Sequence, residues 1–221
     1  MIDVRGLSYC YGSQPVLDQV SFQAEPGQLM AVLGANGAGK STLFRCMLGL
    51  LNHYSGQILY EGEDLHHISR KQMAGYAAYI PQAEIPTFGY TVLDTVLMGV
   101  TGMLSPLQSP GPEHRGMAEA VLRELGIGYL AEKSINQLSG GERQMALLAR
   151  AIVQQARFLI MDEPTANLDY GNQQHVLRHV RRLADERYTV LFSTHNPEHA
   201  LQYATHVLAL KDHRILAGGR T

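Results

Sequence analysis

Three runs along the chain are apolar almost without interruption: residues 29–33, 158–161 and 188–192. Short unbroken runs of this kind predict buried strands, the habit of a parallel sheet. Residues 43–51, shortly after the first run, carry apolar side chains at helical spacing. The first 33 residues otherwise read as short strands with turns at Tyr11-Gly12-Ser13 and Glu25-Pro26-Gly27, and residues 56–62 alternate as one strand of an antiparallel patch. After Gln82 the texture changes. Pro86, Gly89, Pro106, Pro110 and Pro112 punctuate a segment with helical stretches near 92–98 and 115–125, and a further helix is expected over 142–155. From Ala156 strands and helices alternate again, which implies a parallel α/β core. The expectation is one domain over 1–221, with a core lobe from about residues 1–86 and 156–221 and a helical lobe inserted at about 87–155.

The first apolar run leads into a chemically specific text. Residues 34–41 read Gly-Ala-Asn-Gly-Ala-Gly-Lys-Ser and match G-x-x-x-x-G-K-[ST] at every fixed position, between a strand and a helix. Gly34, Gly37 and Gly39 let the backbone wrap tightly, so that the N–H groups of the loop, Ala35, Asn36 and Ala38 included, point inward. With the positive end of the following helix they make an anion site for β- and γ-phosphates. Lys40 adds a mobile positive charge toward the γ-phosphate, Ser41 offers its hydroxyl to Mg²⁺, and Thr42 is placed to hold the α-phosphate.

The second run ends in Asp162-Glu163. Two carboxylates at the end of a buried strand are costly unless they bind a cation or a water. Asp162 is expected to hold Mg²⁺, directly or through its water shell. Glu163, pointing the other way as alternate strand residues do, is expected to polarise the attacking water. The plainer alternative is a helix-capping Asp beside a surface Glu, since Pro164-Thr165 starts a turn. The third run ends in Ser193-Thr194-His195, which puts His195 where a sheet of this type gathers its ligand-binding tips. From there it can contact the γ-phosphate and orient Glu163 or the water. No other histidine receives a role; His66, His67 and His206 read as solvated or packing positions, without metal-ligand spacing.

Residues 138–142 read Leu-Ser-Gly-Gly-Glu, and the helix start that they mark is a second anion receptor. With these texts in place, the chain resembles the nucleotide-binding domain of ABC (ATP-binding cassette) proteins over essentially its whole length. The resemblance implies a P-loop NTPase (RecA-like) α/β core with a parallel sheet, an antiparallel β subdomain and an inserted helical subdomain. It implies an ATPase that uses ATP and Mg²⁺. Tyr11, just before Gly12, resembles the aromatic that stacks on adenine, with Tyr9 as its competitor. Gln82 resembles the Q-loop glutamine, a Mg²⁺ ligand and a hinge toward the transporter. Residues 138–142 resemble the signature motif, with Glu142 where many members have Gln. By the resemblance Ser139, Gly140, Gly141 and Glu142 act across a head-to-tail homodimer, capping the nucleotide that the other copy holds. Asn167-Leu168-Asp169 resembles the D-loop that crosses that interface, and His195 the switch histidine. The chain departs from the pattern where His213 replaces a common turn glycine and where it closes at Thr221, short of the usual C-terminal helices.

Composition trims the choices. With 18 basic and 20 acidic residues the net charge is −2, which argues against sequence-independent nucleic-acid binding. Cys10 and Cys46 suggest neither a disulfide framework nor a zinc site. No N-terminal leader is apparent, and the longest apolar stretch, 91–100, is interrupted by Asp94. A cytoplasmic chain, peripheral on the inner face of the cytoplasmic membrane and attached through a partner, is expected. The stretch between phosphate loop and signature is too short for the long coiled coil of the chromosome and DNA-repair branches, and a single cassette disfavours the ribosome-associated branch. Residues 88–99 and 168–173 resemble the subfamily that powers import of metal chelates: ferric siderophores, haem and cobalamin. That implies permease subunits and, indirectly, a substrate-binding protein as partners. Molybdate, zinc or manganese importers, an exporter subunit, and a soluble switch on nucleic acid or ribosomes are the alternatives.

Overall fold

The computed structural model describes residues 1–82, 89–105, 107–186 and 188–221. Pro86, Phe88, Pro106 and the expected lobe boundary at 86/87 lie outside the described residues. In chain order the elements are β1 (Ile2–Tyr11), β2 (Gln14–Ala24), β3 (Leu29–Leu33), α1 (Lys40–Met47), β4 (Ser55–Tyr60), β5 (Glu63–Asp64), α2 (Arg70–Tyr76) and β6 (Ala77–Ile80). There follow α3 (Val92–Leu97), α4 (Pro112–Glu124), α5 (Gly140–Val153), β7 (Phe158–Met161), α6 (Tyr170–Glu186), β8 (Thr189–Thr194), α7 (Pro197–Tyr203), β9 (His206–Lys211) and β10 (Arg214–Arg220).

The strands form a four-stranded sheet, ordered β2-β1-β4-β5, and a six-stranded sheet, ordered β10-β9-β3-β8-β7-β6. The small sheet is antiparallel; in the large one every pairing is parallel except β9 with β10. The apolar runs fill both faces of the large sheet by simple alternation. Leu29 and Ala31 of β3 pack with helices α3 to α7, while Met30 and Val32 pack with α1, α2 and the antiparallel sheet. An α/β core flanked by an antiparallel patch on one face and helices on the other is the expected fold class.

Two expectations need correcting. The first two strands are 10 and 11 residues long rather than short. Their register slips between Val4 and Leu7, Leu7 and Tyr9, and Tyr9 and Cys10, and each slip breaks the apolar alternation that marks a strand. The signature helix also starts at Gly140, not Glu142, and ends at Val153. Ser139 is its cap: the hydroxyl accepts from Glu142 N–H at 3.3 Å, and the Glu142 carboxylate accepts from Ser139 N–H at 2.9 Å. This reciprocal box satisfies donors that would otherwise be orphaned, so two glycines are held in helical geometry.

At the far edge, Asp212 and His213 both take positive φ, 49° and 70°, without a glycine. His213 is tied down instead. Its carbonyl accepts from Asp18 N–H at 2.8 Å and its Nδ1 lies 3.2 Å from the Val16 carbonyl, docking the β9–β10 hairpin on β2.

Candidate functional site

The carboxyl ends of β3, β6, β7 and β8 lie side by side, and each carries a candidate residue into one cleft, the usual ligand position of a parallel sheet. The phosphate loop leaves β3 with Gly34 N–H donating to the Thr194 carbonyl at 3.1 Å. A Cβ on Gly34 would stand 2.6 Å from the Leu210 carbonyl oxygen, and one on Gly39 would stand 2.8 Å from that of Val16. Gly39 also has φ 104° and Gly37 φ 82°. Glycine at 34 is thus demanded by space, at 37 by conformation and at 39 by both.

Lys40 opens α1, and its side chain is only 5% exposed. The ammonium donates to the carbonyls of Gly34 at 2.8 Å and Ala35 at 3.0 Å, and lies 3.2 Å from Glu163 Oε1. Its three donors are therefore all engaged. Behind it on the first turn, Ser41 is half-buried and Thr42 buried.

The acid pair is arranged differently from strand alternation. Strand β7 ends at Met161, and Glu163 sits in the following turn at φ 44°, in the left-handed region. Its carboxylate faces Lys40 with one oxygen and, at 3.5 Å, His195 Nδ1 with the other. Asp162 is 6% exposed; its N–H donates to the Ile80 carbonyl at 2.8 Å. Ser193 Oγ donates to Asp162 Oδ1 at 2.7 Å and accepts from Glu163 N–H at 2.8 Å. The Tyr79 hydroxyl lies 3.4 Å from Asp162 Oδ2, and burial, followed by the Asp162 charge, pushes the phenol up to about 12. Among the described residues no ion pair reaches Asp162. Ser41, Gln82 and Asp162 supply a hydroxyl, an amide and a carboxylate, hard donors that suit Mg²⁺ completed by water and phosphate.

Exposed Gln82 and His195 meet Asn36, Glu163, Asn167 and Ser193 around a cleft of about 330 Å³. Buried His199, given no role by the sequence, also lines it and lies 3.4 Å from Thr165 Oγ1. Tyr11 ends β1 with 44% exposure, edge-on to Tyr9 at 5.0 Å between ring centres, whereas Tyr9 packs against the core.

The signature residues form a separate unit. A Cβ on Gly140 would come 2.9 Å from Leu168 Cδ2, and one on Gly141 2.4 Å from Asn172 Oδ1. Asn172 in turn donates to Asp169 from its backbone at 2.9 Å and its side chain at 2.7 Å, and these bonds hold the Asp169 carboxyl below its usual range. Bonds from Ser139 do the same for Glu142. Among the described residues no hydrogen bond or ion pair links residues 139–142 or Asp169 to residues 34–42.

Sequence reasoning missed Ser193, Tyr79 and Asn172. Ser193 left a signal, a hydroxyl at the tip of an apolar run, and the structure buries it fully. Asn172 left none, because its role depends on how α6 meets α5.

Comparison with known proteins adds a family. The profile described as "ABC transporter" matches residues 17–166. An uncharacterized ABC transporter ATP-binding protein of Haemophilus influenzae is 39% identical over 210 residues, spanning 95% of this chain and 80% of that protein. A hemin import ATP-binding protein of Pseudomonas entomophila is 38% identical over 219 residues, spanning 97% and 84%. Among solved structures, a metal-chelate type ABC transporter in an inward-facing conformation superposes with TM-score 0.88 at 32% identity, covering 99% of this chain and 82% of that one.

Proposed function

The chain belongs to the ABC transporter family and is an ATPase; from that premise we propose that it energises import of a metal chelate such as a ferric siderophore, haem or cobalamin across the cytoplasmic membrane. The observation that carries the chemistry is a chain of contacts at the sheet's carboxyl edge: buried Lys40 pairs with Glu163, Glu163 faces exposed His195, and Ser193 ties buried Asp162 to the same turn. The relatives named above, a hemin importer and a metal-chelate type transporter, support the substrate class.

Residues 34–42 hold the phosphates through backbone N–H groups, and Lys40 turns from the loop carbonyls to the γ-phosphate. Tyr11 stacks on the adenine. Ser41, Asp162 and Gln82 hold Mg²⁺, which when bound neutralises charge on the phosphates. Glu163 accepts a proton from the attacking water, and His195 fixes the position of the Glu163 carboxylate and senses the γ-phosphate. Lys40 and Glu163 stand 3.2 Å apart, so the cation that meets the γ-phosphate and the base that meets the water are adjacent. Ser139 to Glu142 and Asp169 act in trans in a homodimer, which gives the helix N-terminus at residues 139–142 a nucleotide to cap. Residues 1–86 and 156–221 then work as the core lobe and 87–155 as the helical lobe.

Two copies would sit beneath two permease subunits on the inner face of the membrane, with a binding protein delivering the chelate. Among the described residues no helix is long and apolar enough to cross a membrane, so attachment is assigned to the permease. Between Tyr90 and Met98, Val92, Leu93 and Val96 are core, while Tyr90 and Met98 are 47% and 40% exposed. Met98 joins Leu48, Leu50, Met73 and Tyr79 along a groove of about 560 Å³, a fit for an apolar cytoplasmic segment of the permease. Affinity capture from detergent-solubilised native membranes, read by mass spectrometry, tests the proposal. Recovery of a many-spanning permease with a substrate-binding protein supports import. Ribosomal or nucleoid proteins without a permease would overturn transport, and a permease of exporter type would overturn the direction.

A further inference from the structure

We infer that Ser193 is a positioning residue for hydrolysis, one hydroxyl that holds both Asp162 and Glu163 in working geometry; the inference rests on the roles proposed above for those two carboxylates. Strands β7 and β8 run parallel with Met161 opposite Phe192, so the next residue on each, Asp162 and Ser193, stand together at the sheet edge. Ser193 is fully buried. The three residues before it, Val190, Leu191 and Phe192, are apolar core, and packing alone gives no reason for a hydroxyl to follow them.

A serine hydroxyl has one proton. Here the proton goes to Asp162 Oδ1 at 2.7 Å, and the oxygen accepts the Glu163 N–H at 2.8 Å. Two consequences follow. The first bond ties one carboxylate oxygen of Asp162 and leaves Oδ2 opposite Tyr79 OH at 3.4 Å, too long for a strong O–H···O bond, so Oδ2 is the oxygen left for the cation or its water. The second bond pins the peptide that enters Glu163, whose φ of 44° a glutamate does not favour unaided. Ser193 therefore sets where the base points as well as where the metal ligand points, without touching either the nucleotide or the water. Its one proton is committed to Asp162 and one lone pair to Glu163 N–H, the arrangement of a positioning group rather than of an acid or base.

The test compares Ser193→Cys, close in size but a poor donor, with Ser193→Ala and Ser193→Thr, which keeps the hydroxyl. Four readouts are taken on the full chain: kcat against KM for ATP, Mn²⁺ affinity of the ADP-bound protein by electron paramagnetic resonance, ADP affinity without metal, and thermal unfolding. Loss of a hydrogen bond that orients a ligating carboxylate should lower kcat and Mn²⁺ affinity about 10- to 100-fold. ADP affinity without metal and the unfolding temperature of the Cys variant should match the parent, and Thr should restore both lost quantities. A Cys variant with parental kcat and Mn²⁺ affinity overturns the inference, as does a folded Thr variant that fails to restore them. Asp162→Asn and Glu163→Gln are measured alongside. If those two leave Mn²⁺ affinity and kcat unchanged, the proposed site roles have failed; if they lower them while Cys stays parental, only the role of Ser193 has failed.

Discussion

Gly141→Ala should loosen the joint between the signature helix and the D-loop by way of one side chain, Asn172. The added methyl would stand 2.4 Å from Asn172 Oδ1, 2.7 Å from its Cγ and 3.1 Å from its Cβ. A slight turn of the amide does not relieve contact with both Cγ and Oδ1, so Asn172 must leave its rotamer. That change costs about 0.5–1.5 kcal/mol, and the bond from Nδ2 to Asp169, being exposed, contributes about 0.5–1 kcal/mol more when lost. Replacing a helical glycine by alanine returns up to about 1 kcal/mol, and less in a first turn. With roughly 0.5 kcal/mol returned in a first turn, the balance is a net loss of about 0.5–2 kcal/mol. Urea unfolding of Gly141→Ala, Asn172→Ala and the double variant isolates the contact. With Asn172 cut back to its Cβ, only the 3.1 Å contact remains, so the alanine at 141 should cost less by a coupling of about 1 kcal/mol or more. An equal cost for Gly141→Ala in both backgrounds would refute the reasoning.

Gly39→Ala should destabilise by about 2–3 kcal/mol, because it combines a left-handed φ with a methyl 2.8 Å from the Val16 carbonyl, and fluorescent-nucleotide titration should detect lost binding as well. Ser139→Ala removes the cap of α5 and should cost about 1 kcal/mol by denaturant melt, while its larger effect falls on ATPase activity. Burial holds the pKa of His199 below its usual 6.5, and burial with the His175 charge does the same for His179. The unfolded chain therefore binds more protons below that value. The stabilisation is complete above 6.5 and fades as pH falls through the lowered folded values, so melting temperature should drop between about pH 7.5 and 5.5. Substituting His199 by Gln should flatten that slope.

How much the sequence reveals depends on how local each feature is. The phosphate loop is legible because its glycines, lysine and serine act within one turn of chain, between a strand and a helix that announce themselves. Asp162 is legible as a charge ending an apolar run. The position of Glu163 is not: period-two alternation predicts a strand residue, whereas the chain has already turned at Met161, and a hydroxyl 30 positions away holds that turn. Strands β1 and β2 look short because bulges reset their alternation. The lock between Gly141 and Asn172 is invisible for a further reason, since it needs the packing of two helices that no local pattern specifies.

The most direct test of the account is the oligomeric state of Glu163→Gln by light scattering with and without ATP. The account predicts a monomer without nucleotide and a stable dimer with ATP, because nucleotide bound at Lys40 of one copy is capped by Ser139 to Gly141 of the other and is not hydrolysed. A variant that binds ATP yet stays monomeric at every concentration, or that hydrolyses ATP at the parental rate, would contradict it.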